Sequence, residues 1–122
     1  MSPIDFDFLQ AEHPEFADIW PELRRWFSRN WRKQYVELSV LLRALPHLDR
    51  RDLILAIQTM IERGMLSMAY RVKAPGGYLL EGEYEEPDQI PKELPDRDYS
   101  GSIRTAEGDI VSGYRWEPAG AT

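Results

Sequence analysis

Two histidines, His13 and His47, and no cysteine are all that this chain of 122 residues offers to metal binding or to activation of a nucleophile. Thiolate chemistry, disulfides and any Cys-ligated zinc or iron–sulfur site are thereby excluded. The histidines sit in unrelated segments, and neither has a second histidine at a metal-ligand spacing. Paired carboxylates suit acid–base work. The pairs available here, Asp96-Arg97-Asp98 and Glu83 with Glu85, have the composition of solvated surface. Gly76-Gly77 lacks both the glycine spacing and the Lys-Ser/Thr of a phosphate loop. None of Ser2, Ser28, Ser39, Ser67, Ser100, Ser102 and Ser112 stands in a Ser-His-Asp arrangement. The reading is of a non-enzyme, with no catalytic, cofactor-binding or metal-binding residue.

Charge is more informative. The net charge is −6, but it is unevenly distributed. Residues 1–23 carry six acids and no base, whereas residues 24–73 carry eleven bases and four acids. Residues 74–122 carry four bases and eleven acids. A basic middle between acidic ends fits either a nucleic-acid face or an internally neutralised fold, and the second is preferred. With 43% hydrophobic residues and 11% aromatics, there is enough apolar surface to offset ordering entropy, so the chain should fold. The start, MSPIDFDFLQ, is acidic and lacks the features of a signal peptide. Apolar runs fall far short of the ~20 residues of a membrane helix. The expectation is a cytoplasmic protein with no membrane partner.

These side chains need elements to carry them. His13-Pro14-Glu15 reads as a helix start, and Phe16, Ile19, Trp20, Leu23 and Phe27 recur at helical spacing on one stripe. Pro21 must kink that helix or begin another. A second helix is predicted from Arg32 to Leu45, with Tyr35, Leu38, Leu41, Leu42 and Leu45 on one side. Val36, Val40 and Ala44 lie on the other. The third helix opens at Asp49, its N-cap, and stops at Gly64, with Leu53, Ile57, Met60 and Ile61 as its core stripe.

After Gly64 the period changes to two. Leu66, Met68, Tyr70 and Val72 alternate with Ser67, Ala69, Arg71 and Lys73. A turn at Ala74-Pro75-Gly76-Gly77 follows, and Tyr78, Leu80 and Tyr84 return as a hairpin. Residues 87–101 read as a loop. A second hairpin is predicted from Ser102–Ala106 and Ile110–Trp116, with Ile110, Tyr114 and Trp116 on one face.

Helices followed by a hairpin, joined through Ile61-Glu62-Arg63-Gly64-Met65-Leu66, resemble a winged-helix (winged helix-turn-helix) domain over about residues 32–84. The helix-turn-helix turn would be Pro46-His47-Leu48-Asp49. The wing tip would be Lys73-Ala74-Pro75-Gly76-Gly77. The resemblance implies an α+β fold of three to four N-terminal helices, a β-hairpin wing and a short C-terminal β-hairpin tail. The chain is then one domain, 1–122. It divides into an N-terminal helical extension (1–31), the winged-helix core (32–84), a loop and hairpin tail (85–117) and a fraying end (118–122).

In a DNA-binding winged helix the exposed face of the third helix enters the major groove. At about 100° per residue, that face here is Arg51, Asp52, Leu55, Gln58, Thr59 and Glu62. One of the six is basic and two are acidic, which suits a polypeptide better than phosphate. The sequence therefore predicts a protein-interaction module, an adaptor or small subunit of a larger complex. Its surface would combine Arg51, Leu55, Gln58, Thr59 and Glu62 with Arg71, Lys73 and Tyr78 of the wing. The alternative is a transcriptional regulator gripping duplex DNA through Arg50, Arg51, Gln58, Thr59, Arg71 and Lys73. A homodimer through Val36, Val40 and the first helix's aromatics is compatible with both.

Overall fold

The computed structural model describes residues 4–96 and 101–117. The predicted fraying end, 118–122, lies outside the described residues, as do Ser2, Arg97, Asp98 and Ser100. The architecture is α+β, with four α-helices and antiparallel strand pairing among the described residues. The chain groups into two compact units. One holds the residues up to Ser67 together with those from Tyr114 onward, and the other is Met68–Gly113.

In the first unit, helix α1 spans Phe6–Glu12 and is capped by Asp5, whose carboxylate accepts the Phe8 N–H at 2.9 Å. The sequence reading missed this helix, since only Phe6 and Leu9 of its seven residues are buried. Pro14–Phe16 form a single 3₁₀ turn. Pro21 then starts a new helix rather than kinking an old one: α2 spans Trp20–Asn30, with the proline in its first turn, where no amide donor is needed. Ile19, Trp20, Leu23 and Phe27 are buried as the stripe predicts. The Trp20 indole N–H donates to His13 O at 2.9 Å, tying the turn to the helix.

The helix predicted from Arg32 to Leu45 is not formed. A 3₁₀ turn at Trp31–Lys33 ends with Gln34 in the left-handed conformation, φ 59°, which breaks helical continuation. Tyr35–Glu37 become strand β1, as an aromatic and a β-branched residue favour. Helix α3 is only Leu38–Ala44. The two-sided apolar pattern dissolves with this change. Tyr35 and Val36 are buried in β1, and Leu41 and Leu45 in the core, while Val40 is exposed and Ala44 faces solvent.

Helix α4, Arg50–Glu62, matches the reading. Asp49 caps it by accepting the Asp52 N–H at 2.9 Å, and Leu53, Ala56, Ile57 and Met60 are buried. Gly64, at φ 75°, ends it in a Schellman pairing: Met65 N–H donates to Met60 O at 2.9 Å and Gly64 N–H to Ile61 O at 3.0 Å. The core of this unit is completed by Tyr114 and Trp116. The Trp116 ring meets Phe27 edge-on at 4.9 Å, and its N–H donates to Trp31 O at 2.9 Å.

The second unit begins at Met68, inside strand β2, Ser67–Lys73. The expected hairpin forms around Ala74–Gly77, where Gly77 N–H donates to Ala74 O at 2.8 Å and Ala74 N–H to Tyr78 O at 2.8 Å. Lys73 is bridged to Leu79 and Tyr70 to Tyr84. Two residues more on the returning side than on β2 must be absorbed between those bridges. The excess lies around Gly82, whose φ of 106° serves the bulge. Alternation on β2 differs from the reading, since Ala69 is buried and Met68 exposed.

The segment read as a loop contains strand β3, Glu93–Asp96, with Leu94 and Asp96 buried in alternation. It pairs antiparallel with strand β4, Gly101–Arg104, in the register Glu93↔Arg104 and Leu94↔Ile103. The hairpin predicted from Ser102 to Trp116 is thus replaced, because β4 finds its partner upstream. A 3₁₀ turn at Thr105–Glu107 sends the chain into strand β5, Asp109–Arg115. Ile110 is exposed there, unlike Tyr114 and Trp116. The order of the three-stranded sheet is β1-β5-β2. Val72, Ala74, Leu80 and Leu94 form the core of this unit, with Tyr78, Tyr84, Ile90 and Ile103 packed on it.

Candidate interaction surface

The outward face of α4 follows from its inward one. With Leu53, Ala56, Ile57 and Met60 at 0–1% exposure, the residues about half a turn away must face water. Arg51, Asp52, Leu55, Gln58 and Glu62 are all exposed, as the helix-face arithmetic places them. Thr59 is half-buried at the margin, its hydroxyl donating to Leu55 O at 3.0 Å. Leu55 is 42% exposed and its neighbour Ile54 36%. The face is therefore an apolar centre with one arginine and two carboxylates around it.

The wing residues named with this face belong to the second unit, and all three are half-buried. The Arg71 guanidinium donates to Leu80 O at 2.8 Å, which stiffens the hairpin. The Tyr78 hydroxyl donates to Asp96 at 2.6 Å, so the buried carboxylate of β3 is met by a phenol. Lys73 lies at the end of β2. Arg50, the remaining member of the DNA-binding set, is exposed in the first turn of α4.

His13 and His47 each lie beside a carboxylate. His13 Nδ1 is 3.2 Å from Glu15, and His47 Nε2 is 3.3 Å from Glu22. The Glu15 carboxyl is held below its usual range, first by a hydrogen bond from its own backbone and then by His13. Among the described residues, no three His, Cys, Asp or Glu side chains cluster as metal ligands would. No helix among them is long and apolar enough to cross a membrane.

Two features escaped the sequence reading. A groove of about 800 Å³ lies along the β3–β4 pair, rimmed by Ile90, Lys92, Arg104 and Ile110. It depends on a strand pairing that local periodicity does not reveal. In the first unit, arginines from α2, α3 and α4 gather around the α3–α4 turn. The positive charge of residues 24–73 was the available signal, but its concentration there depends on how three helices pack. No family model, curated protein or solved structure matches this chain.

Proposed function

We propose that this chain is a non-enzymatic protein-interaction module, an adaptor or small subunit, built on a winged-helix plan. The partner polypeptide docks on α4 through Arg51, Leu55, Gln58, Thr59 and Glu62. The carrying observation is the 42% exposure of Leu55 at the middle of that face, flanked by acids that phosphate would avoid. The winged-helix plan is supported by the order helix, strand, helix, helix, strand from α2 to β2, and by the sheet order β1-β5-β2, in which β3 and β4 intervene along the chain before β5 completes the sheet.

Replacing Leu55 by Glu tests the surface. The side chain is exposed, so folding stability should change by no more than about 0.5 kcal/mol. Affinity capture from the source cells, followed by mass spectrometry, should lose the specific partner that the unsubstituted chain retains. Equal recovery by both would remove α4 from the interface.

A second reading, a regulator that binds duplex DNA, is favoured by one observation. Arg50 and Arg51 are exposed at the start of α4, with no carboxylate in ion-pair distance among the described residues. It predicts a salt-sensitive gel shift of duplex DNA that falls when Arg50, Arg51, Arg71 and Lys73 are neutralised together.

A further inference from the structure

The arginines of the first unit are gathered where α2 meets the α3–α4 turn. One groove there, of about 220 Å³, is lined by Arg25, Trp26, Arg29 and His47. A second, of about 270 Å³, is lined by Arg43 and Arg50. Leu45 lines both, so the two grooves adjoin and together make a track of exposed arginines. Among the described residues a single carboxylate answers this charge: Glu22 lies 2.7 Å from Arg25 and 3.3 Å from His47. Arg29, Arg43 and Arg50 have no carboxylate within ion-pair distance among the described residues. Arg43 donates to Ser39 O at 3.4 Å.

We propose that this track binds single-stranded nucleic acid, its phosphates on Arg25, Arg29, Arg43 and Arg50 and one unstacked base against Trp26. Four guanidinium groups offer the flat, forked donors that phosphate oxygens match best. Trp26 is half-buried, its ring held edge-on by Phe27 at 5.1 Å and by Trp116 at 5.9 Å, so it is an immobilised aromatic surface in the groove. Charge with an aromatic platform is the combination that binds single strands without reading sequence. Concavity separates a single strand from a duplex. A flexible strand can enter two small grooves in succession, whereas paired bases cannot reach an indole inside one. Of the track's residues only Arg50 belongs to α4, and it is not among the residues of that helix assigned to the partner polypeptide.

The test uses the full chain and a labelled oligothymidylate of about 10 nucleotides, a typical single-strand site size. Affinity is measured by fluorescence anisotropy across a salt series. Four phosphate contacts predict a log–log slope of about −3, falling to about −1.5 in the double variant Arg29→Ala/Arg50→Ala. Both positions are exposed, so this variant folds. Trp26→Phe keeps a smaller ring and should weaken binding roughly two- to fivefold with the slope unchanged, whereas Trp26→Ala should weaken it by roughly tenfold or more. Leu55→Glu should bind as the unsubstituted chain does, which keeps failure of the α4 interface distinct from failure of this one. Absence of binding at low salt, or a slope unmoved in the double variant, would overturn the proposal. So would a duplex of equal length binding as tightly, or polyglutamate competing as well as the oligonucleotide.

Discussion

Trp116 is the residue through which the last described segment holds the first unit closed, and its removal has a calculable cost. It is 3% exposed and packs edge-on against Phe27 at 4.9 Å and Trp26 at 5.9 Å. Its indole N–H satisfies Trp31 O, and its backbone N–H donates to Gln34 O at 3.2 Å. Truncation to Ala empties a large aromatic site and strands the Trp31 carbonyl, which together cost about 4 kcal/mol. Trp116→Phe keeps a ring against Phe27 and loses the side-chain donor, so it should cost about 1–2 kcal/mol. Urea unfolding separates the two. With a slope of about 2 kcal/mol/M, the Ala variant's midpoint should drop by about 2 M and that of the Phe variant by about 0.5–1 M. Domains of this length hold roughly 6–18 kcal/mol in total, so both variants remain measurable. A loss below about 1 kcal/mol for Trp116→Ala, or equal losses for both variants, would refute the packing argument.

Two further outcomes follow from particular positions. Gly82→Ala should destabilise the second unit by about 1–3 kcal/mol, because φ is 106° and the new Cβ would stand 2.6 Å from the Tyr84 hydroxyl. Protection of the Tyr70 and Tyr84 amides from hydrogen exchange should fall in that variant, and unchanged protection would contradict the bulge. Burial raises the pKa of Tyr114 above the usual 10.0 of tyrosine. The folded state therefore keeps this phenol neutral where the unfolded chain would ionise it. Its contribution is fully present below pH about 10 and is lost as pH rises through the folded pKa. Urea midpoints at pH about 9 and 11 should show a smaller alkaline decline in Tyr114→Phe than in the unsubstituted chain, and parallel declines would argue against it.

How far the sequence could be read depended on where the deciding interaction lay. Helix α4 was legible from end to end, because its cap Asp49, its stripe from Leu53 to Met60 and its stop at Gly64 are all local signals. Its outward face was legible for the same reason, since burying one side of a helix assigns the other. The first hairpin was legible in its turn, although its Met68/Ala69 orientation was not. What failed was decided at a distance. The stretch from Tyr35 to Glu37 has helical spacing within itself, yet Gln34 adopts φ 59° and the backbone takes its place beside β5. Local signals point β4 to a downstream partner because its actual one, Glu93–Asp96, carries Pro95 and sits among loop-forming residues. The arginine track was foreshadowed only as net charge, because its position requires the packing of α2, α3 and the turn into α4.

The bond from Trp116 to Trp31 O spans 85 positions along the chain, and this separation has a kinetic meaning. Joining two points that far apart costs roughly 4 kcal/mol of chain entropy, recovered only when the indole is already seated. Helices α1, α2 and α4 can form from neighbouring residues, but the pocket formed by Trp26, Phe27 and Trp31 must wait for a segment synthesised long after it. During translation that pocket stays open to water or to a chaperone, and closure belongs to the slow, final stage of folding.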